Sequence, residues 1–168
     1  MSHDDDAQQK TLWDLIRQTR FAMVTTQCGD GRLRSRPLTT QNRRDDDGDR
    51  LWFFTSLSGE VAEDVRHAAN VNITYADIEE DAYVSVSGRA RFVDDPARKE
   101  ALFNTMTKAW FPKGPHDPAL GLLEVTIDAA EYWNVKESKT VQLVKMATAA
   151  ITGKPPSMGE HSEVDVGR

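Results

Sequence analysis

The sequence predicts a mainly β protein, an antiparallel barrel or sandwich of six or seven strands with two or three short helices. Three observations lead to this fold class. Apolar and β-branched residues cluster in six or seven short segments. Turn residues such as Gly, Asp and Asn separate many of these segments by only a few positions, as in β-hairpins. The predicted elements do not repeat a strand–helix–strand alternation along the chain, and the sequence contains no glycine-rich dinucleotide or phosphate-loop motif.

The first 50 residues predict a tail, a helix and a hairpin. Residues 1–9 are polar and are expected to form a flexible tail. Thr11 and Asp14 have the spacing of a capping pair, which predicts that a short helix begins there. Its apolar face would consist of Leu12, Leu15 and Ile16. The next expected elements are a strand over 21–26, a turn over 28–31, a partner strand over 32–41 and a turn over 45–49.

Residues 51–75 form the most informative segment. A buried strand over 51–54 runs into a hydroxyl-rich turn, and a second strand follows over 71–75. Ser58 is expected to cap the helix between them, whose apolar residues are Val61, Ala62 and Val65. Such a turn directs hydroxyls and backbone N–H groups to the positive end of a helix, which suits a phosphate. The alternative is a capped turn that binds nothing.

The second half of the chain predicts further strands and one more helix. Residues 83–93 alternate, with Val84 and Val86 on one face, and Gly88 marks a bulge or a close approach. Asp95 and Pro96 predict a helix start. The apolar face of that helix would be Leu102, Phe103 and Met106. The remaining expectations are a proline-rich loop over 111–118, a strand over 120–127, then Tyr132 and Trp133, a strand over 141–144, and a disordered tail over 147–168.

The composition favours one soluble, cytoplasmic domain, taken as residues 10–146. Lys and Arg number 21 against 27 for Asp and Glu, and the resulting charge of −6 argues against a general nucleic-acid or anionic-membrane binder. The single cysteine, Cys28, allows no internal disulfide and indicates a reducing compartment. No apolar run reaches membrane-spanning length, and the acidic N-terminus does not resemble a signal peptide.

Three arginines at alternate positions are the main chemical signal. Arg32, Arg34 and Arg36 would share one face of a strand. Because like charges repel, an anion is a natural occupant of that face, although a solvent-facing strand edge protected against aggregation is the alternative. The four histidines have no metal-ligand spacing with one another or with the cysteine, so no metal site is expected. No nucleophile with its base stands out, so any chemistry is expected to depend on a cofactor.

Several motifs in combination resemble a known family. The strand WFFTS, the helix start SGEVAEDVR and the strand NVNITY follow one another in order, with SRPL upstream and GRA downstream. The later run is WFPKGPHDPALGLLEVTIDAAEYW. Together they resemble the general stress protein 26 branch of the pyridoxamine 5′-phosphate oxidase-like, flavin-binding split-barrel proteins, over residues 10–145. The resemblance implies a split barrel and a homodimer, with an FMN or FAD site at each end of the interface.

The resemblance also implies which residues meet the cofactor. Two strands would lie along the flavin ring and ribityl chain, a turn would hold the phosphate, and one residue would approach from the partner subunit. Of two tryptophans, one matches the branch's own loop, with Phe111 and Pro112, and the other matches an aromatic position near the flavin. Core packing is the alternative for both tryptophans. The strand residues are Arg36, Pro37, Leu38, Phe54, Thr55 and Ser56, and the residues of the turn are Ser58, Gly59 and Glu60. Tyr83 would approach from the partner subunit, Trp110 belongs to the loop, and Trp133 would lie near the flavin. Arg34 is added as a candidate partner of the phosphate.

One position departs from the family pattern. The family usually has Lys or Arg where this chain has Glu60, and a carboxylate close to a phosphate is unfavourable. Glu60 is therefore expected either to oppose FMN or to point to solvent. In the second case Arg34 or Arg36 would take over the phosphate.

The leading functional expectation is a flavin-dependent oxidoreductase that acts on a small molecule or an electron partner. Oxidation of pyridoxamine phosphate is not expected, because the sequence lacks the full set of basic and His residues that would hold that substrate's phosphate. The alternatives are a non-catalytic flavin-binding or flavin-sensing module and a split barrel that uses deazaflavin F420 or haem. Nucleic-acid binding through the arginines is the least favoured, given the acidic balance.

Overall fold

A computed structural model of the chain describes residues 3–46, 48–135 and 139–166. Over those residues the fold is one seven-stranded antiparallel sheet with five helices. The strands are β1 (Phe21–Gln27), β2 (Leu33–Thr39), β3 (Arg50–Ser56), β4 (Asn70–Asp77), β5 (Ala82–Val93), β6 (Leu120–Asn134) and β7 (Glu160–Val164). The helices are α1 (His3–Thr19), α2 (Glu60–His67), α3 (Pro96–Leu102), α4 (Thr105–Trp110) and α5 (Lys139–Thr152).

The sheet curls into a barrel that is only partly closed. Its strand order is β2-β1-β4-β5-β6-β3, with β7 paired to β6. The two strands at the ends of this path meet at a single bridge between Thr40 and Phe53, where the Gln41 N–H also donates to the Trp52 carbonyl at 2.8 Å. Beyond that bridge β2 and β3 separate. The structure therefore confirms the predicted split barrel and excludes a sandwich.

Gly88 produces a bulge in the longest strand pair, as the sequence predicts. The register between β5 and β6 shifts between Ser87 and Gly88. A Cβ atom at this position would lie 2.4 Å from the Thr126 carbonyl oxygen, so only glycine fits. The bulge lets β5 bend across β6.

The core fills the barrel and is covered by α1. Inward-facing residues of β1, β4 and β5 alternate with more exposed ones, whereas the first six residues of β6 are all buried. The buried α1 residues Leu12, Trp13 and Ile16 pack against this core. A second cluster packs around Trp52, Phe54 and the end of α3. This second cluster lies beside the gap between β2 and β3, which carries the candidate site.

The predicted helix start at Thr11 and the predicted cap Ser58 were wrong, whereas the helix after Ser58 is confirmed, with Val61, Ala62 and Val65 buried. α1 begins at His3, within the segment expected to be a flexible tail, because Ala, Gln and Lys residues continue the helix outward from its apolar face. Thr11 lies inside the helix and its hydroxyl donates to the Ala7 carbonyl at 3.0 Å. α2 has Gly59 as its N-cap without a side-chain cap, and the Ser58 hydroxyl lies 3.1 Å from that of Ser56.

The C-terminal region also differs from the sequence prediction. The segment 141–144, expected as a strand, belongs to α5, because the Ala, Leu, Met and Lys residues around it favour a helix. The described part of the expected disordered tail continues α5 and then forms β7 on β6. Val164 and Val166 are buried in the core, and the Tyr132 hydroxyl donates to Glu160 at 2.8 Å. Residues 167–168 lie outside the described part.

The region 95–110 contains two helices instead of one. The predicted start is confirmed, because the Asp95 carboxylate accepts from the Arg98 N–H at 2.9 Å. α3 ends at Leu102, so Phe103 and Met106 do not share its face. Asn104 starts α4 by accepting from two backbone N–H groups. Within the described residues, no helix combines the length and apolarity needed to cross a bilayer.

Candidate functional site

The gap between the separating strands β2 and β3 forms a cavity of about 780 Å³, which we call the split cavity. Its volume lies within the range of small-molecule sites, about 300–1,000 Å³. β2 and β3 supply two walls, and α4 with the residue after it supplies the third. The lining residues are Arg20, Phe21, Pro37, Leu38, Thr39, Gln41, Phe54, Thr55, Ser56, Asn104, Met106, Thr107, Trp110 and Phe111.

The lining of the split cavity is mainly apolar and includes several hydroxyl groups. Pro37, Leu38 and Phe54 line it from the strands, while Trp110 and Phe111 line it from α4. The indole of Trp110 is 84% exposed, so it is available to cover a ligand. Three hydroxyl residues of the strands add polar groups. This arrangement suits a flat aromatic molecule with a polar tail.

One asparagine fixes α4 beside the strands. The Asn104 amide donates to the Gln41 side-chain oxygen at 2.8 Å, and its own oxygen accepts from the N–H groups of Met106 and Thr107 at 3.0 and 3.1 Å. A single side chain thus starts the helix and ties it to the end of β2. Sequence analysis missed Asn104 and Gln41 as site residues. The available signal was an asparagine that could begin a new helix six residues before Trp110.

Two arginines of β2 bind two carboxylates of α2 in what we call the paired arginine cluster: Arg34, Arg36, Glu60 and Asp64. Arg36 Nη2 lies 3.1 Å from both Glu60 Oε2 and Asp64 Oδ2. Arg34 contacts the same two carboxylates at 3.3 and 3.2 Å. Thr26 completes the cluster, since its hydroxyl accepts from Arg36 at 2.8 Å and donates to Asp64 at 2.7 Å. Two positive charges therefore meet two negative charges.

The two carboxylates differ in their surroundings. Burial acts to raise the pKa of Asp64, but the hydrogen bonds from Thr26 and Arg34 and the charge of Arg34 outweigh it, so this pKa lies below its ordinary value. The hydrogen bond from Arg36, followed by the charges of Arg34 and Arg36, lowers the pKa of Glu60, which remains largely exposed. Both carboxylates are therefore ionised at neutral pH. Cys28 is buried beside them, with its Sγ 3.9 Å from Asp64 Oδ2.

A second cavity, of about 500 Å³, adjoins the split cavity, and no residue of α2 lines it. We call it the arginine chamber, because four arginines line it and, among the described residues, no Asp or Glu does. It shares Arg20, Gln41, Asn104 and Met106 with the split cavity. Its lining consists of Ile16, Arg17, Arg20, Thr40, Gln41, Asn42, Arg43, Arg44, Leu102, Asn104, Thr105 and Met106.

Comparison with known proteins decides the family. The family model described as pyridoxamine 5′-phosphate oxidase like matches residues 6–157. The chain belongs to this family. Within the family, the Bacillus subtilis general stress protein 26 is 29% identical over 144 residues, which cover 84% of this chain and 98% of that protein. The Neurospora crassa protein bli-3 is 26% identical over 168 residues, covering 95% and 80%.

Solved structures of the oxidase-like family give the same result. One from Jannaschia sp. CCS1, assigned as general stress protein 26, has a TM-score of 0.72 and 26% identity, covering 96% of this chain and 98% of that one. The general stress FMN/FAD binding protein of Xanthomonas citri has a TM-score of 0.69 and 30% identity, covering 80% and 92%. The resemblance to the general stress protein 26 branch is therefore confirmed, and so is the split-barrel fold.

In this member of the oxidase-like family, the predicted site residues fall into three places. Pro37, Leu38, Phe54, Thr55, Ser56 and Trp110 line the split cavity. Arg34, Arg36 and Glu60 form ion pairs in the paired arginine cluster, and Ser58 and Gly59 lie on the turn that joins it to β3. Tyr83 and Trp133 do not line the split cavity of their own chain.

Tyr83 and Trp133 lie together on the outer face of the sheet. They are register partners on β5 and β6, each about 40% exposed. Trp133 stacks on His161 of β7 with the ring centres 5.0 Å apart. Neither ring is packed in the core. Among the described residues, no group of three or more His, Cys, Asp or Glu side chains is placed to hold a metal ion.

The three arginines at alternate positions do not share one environment. Arg32 pairs with Asp30 at 2.7 Å and is exposed, whereas Arg34 and Arg36 are partly buried against α2. Glu60 is largely exposed to solvent and also contacts Arg34 and Arg36 at 3.3 and 3.1 Å. Glu60 and the buried Asp64 are therefore the anions that these two arginines bind in this structure.

Proposed function

We propose that this protein binds FMN, or FAD, in the split cavity and acts as a flavin-dependent oxidoreductase on a small molecule. The observation that carries the proposal is the cavity between β2 and β3, whose lining includes six residues that the family resemblance implied. An apolar aromatic slot with hydroxyls at one end fits a tricyclic ring that carries a ribityl phosphate. The name of the Xanthomonas citri relative, an FMN/FAD binding protein, supports the same ligand class.

The residues of the split cavity suggest how the flavin would be held. Pro37 and Leu38 would pack against one side of the ring, and Trp110 would cover it from α4. The hydroxyls of Thr55 and Ser56 would accept or donate to the ribityl chain, which leads toward the start of α2. A bound flavin supplies hydride or single-electron transfer, and the chain supplies binding, orientation and exclusion of water.

An apolar strip on the outer face of the sheet supports a homodimer. Phe21 is 60% exposed and Met23 43% exposed on β1, and Tyr83 and Trp133 add two half-exposed rings on β5 and β6. A second copy would cover these side chains. Because Phe21 also lines the split cavity, a dimer built on this face would bring Tyr83 of a second copy toward the flavin. The expected location is the cytoplasm, and the expected partners are small molecules and not nucleic acids.

A non-catalytic flavin-binding or flavin-sensing module is the second candidate. The neutral charge balance of the paired arginine cluster favours it, because Glu60 already occupies the arginines that a flavin phosphate would use. Weak phosphate binding suits a protein that exchanges its flavin more than one that retains it for turnover. A split barrel that uses F420 or haem remains the third candidate, and absorbance distinguishes it.

The experiment that tests the proposal is a flavin titration of the purified protein. The ligand released on denaturation should have a flavin spectrum, and apo protein should quench FMN fluorescence at one site per chain. Trp110→Ala should weaken FMN binding by about tenfold, since base-sized aromatic stacking contributes about 1–3 kcal/mol. Ile78→Ala, which removes an equally exposed apolar side chain away from both cavities, is the matched control.

The outcomes separate the candidates. Equal effects of Trp110→Ala and Ile78→Ala, or a released ligand without flavin absorbance, would overturn the assignment of the split cavity. Oxidation of NAD(P)H by the FMN-loaded protein in the presence of an electron acceptor would favour the oxidoreductase over the binding module.

A further inference from the structure

We propose that the arginine chamber binds the phosphate or carboxylate group of the small molecule that meets the flavin in the split cavity. The proposal rests on the proposed function, and it assigns the substrate class: a small organic anion. It concerns cations that are separate from the paired arginine cluster. Four observations carry it.

The charges of the arginine chamber are unbalanced. Arg17 pairs with Asp14 at 3.1 Å, and the Arg43 guanidinium donates to the Ala101 carbonyl. Arg20 and Arg44 form no ion pair with any residue in the described ranges. Within the described ranges, three guanidinium groups therefore lack a carboxylate partner, in a chain whose net charge is −6. Cations held around one cavity repel each other unless an anion enters.

Arg20 occupies a backbone position that disfavours it. Its φ is +58°, in the left-handed region, directly after α1, and its N–H donates to the Ile16 carbonyl at 2.8 Å. Helices that end in this way usually have Gly or Asn there, because other side chains are strained. The C-terminal end of α1 attracts a cation, but Arg17 already supplies one at that end. A second arginine at a strained position indicates a role for its side chain.

The order of residues along β2 separates the arginine chamber from the start of α2. Along the chain, Arg36 belongs to the paired arginine cluster, the residues from Pro37 to Thr39 line the split cavity, and those from Gln41 to Arg44 line the chamber. Arg36 and Gln41 are five positions apart, about 16 Å on an extended strand. A flavin whose phosphate lies near α2 therefore presents its ring toward the chamber. An anion in the chamber would belong to the substrate.

The remaining walls of the arginine chamber suit a small organic body. Ile16, Leu102 and Met106 supply apolar surface, and Gln41 and Asn104 supply amides at the boundary with the split cavity. A guanidinium binds phosphate or carboxylate through parallel N–H groups, so both anions fit the same chemistry. A molecule with its anion among the arginines would extend its uncharged part toward the flavin ring.

The test is calorimetric titration of apo and FMN-loaded protein with three probes of similar size: phenyl phosphate, benzoate and the neutral benzyl alcohol. Either anion should bind more tightly than benzyl alcohol, and the tighter of the two identifies phosphate or carboxylate. The double variant Arg20→Gln/Arg44→Gln should weaken anion binding by at least tenfold and leave benzyl alcohol unchanged. Both side chains are exposed, and Arg44→Gln alone should give part of the loss.

The matched control is Arg32→Gln/Arg89→Gln, which removes the same charge from exposed arginines outside both cavities. It should leave anion binding within twofold of wild type. Absent anion binding, or an equal loss in the control, would overturn the proposal. A loss of FMN affinity without a loss of riboflavin affinity in the Arg20/Arg44 variant would also overturn it, because the chamber would then hold the cofactor's phosphate. Anion binding to apo protein needs no flavin, so this result is independent of whether the flavin proposal fails.

Discussion

The paired arginine cluster and the arginine chamber lie on either side of the split cavity, and they use the same side chain in opposite ways. In the cluster, the charges of Arg34 and Arg36 are paired with those of Glu60 and the buried Asp64. In the chamber, Arg20 and Arg44 have no carboxylate partner among the described residues, and the cavity wall around them holds no acid. One group of arginines is balanced within the fold, and the other is open to a ligand.

The difference shows that an arginine is free to bind a ligand only if no carboxylate of the fold pairs with it. The spacing of arginines along the sequence does not decide this. The period-two arginines of β2 look like an anion site, yet α2 delivers two carboxylates to them. The arginines of the chamber have no regular spacing and come from a helix end and a loop. We therefore expect the paired arginine cluster to contribute mainly to stability and the arginine chamber mainly to ligand binding.

The largest expected effect is on the paired arginine cluster. Asp64→Asn removes a buried anion from two arginines and should lower the free energy of unfolding by about 2 kcal/mol. Urea unfolding measures it. The native pKa of Asp64 is below its ordinary value, so its contribution is complete above the ordinary value and is lost as the pH falls through the native one. The gap between wild type and variant should thus be constant above about pH 5 and shrink in acid. A gap that widens in acid would contradict this account.

The second prediction concerns Glu60, which occupies the arginines that a flavin phosphate needs. Glu60→Lys removes the competing carboxylate and adds a cation, so FMN should bind about tenfold more tightly, with a gain that shrinks as salt is raised. Riboflavin, which has no phosphate, should change much less. Flavin fluorescence titration of apo protein measures both ligands.

The control for this prediction is Glu63→Lys, which makes the same charge change in the first turn of α2. Glu63 forms no ion pair with a described residue. A similar gain in FMN affinity from Glu63→Lys would therefore show that the gain comes from the overall charge of the protein. Equal gains in affinity for FMN and riboflavin would show that the effect of Glu60→Lys does not act through the FMN phosphate. No gain for FMN would place the phosphate away from the paired arginine cluster.

The smallest expected effect is the change in the free energy of unfolding when Arg20 of the arginine chamber is replaced. Arg20→Gly relieves a left-handed backbone at the end of α1, so the free energy of unfolding should stay the same or rise by up to about 1 kcal/mol. The same variant should lose affinity for phenyl phosphate. Urea unfolding beside calorimetry measures the two effects. A clear loss of stability would show that Arg20 supports the fold. It would contradict the claim that the arginine chamber contributes mainly to ligand binding and the paired arginine cluster mainly to stability.

Much of the fold could be predicted from the sequence, because its strongest signals are local. The alternation in β5, the bulge at Gly88 and the Asp95 cap all depend on neighbouring residues, and the structure confirms them. The errors come from signals that need tertiary context. Val141 and Val144 suggest a strand, but the helix-forming residues around them place both in α5. β7 forms because Val164 fills the barrel core, which no local pattern shows.

The residues of the candidate site that lie on strands could be predicted from the sequence. The contacts that join its helices to its strands could not. Pro37, Leu38, Phe54, Thr55 and Ser56 lie on two strands whose motifs are recognisable, and the structure places all five around one cavity. The link between Asn104 and Gln41 and the pairing of Glu60 with Arg36 join residues far apart in sequence. Neither follows from residue spacing, because each depends on how a helix docks on the barrel.

The most direct test of the central claim is a crystal structure of the FMN-loaded protein. The account predicts the isoalloxazine ring between β2 and Trp110, the phosphate near Arg36 and the start of α2, and the arginine chamber free of cofactor atoms. A phosphate bound by Arg20 and Arg44 would reverse the roles of the two arginine groups. A flavin outside the gap between β2 and β3 would contradict the account as a whole.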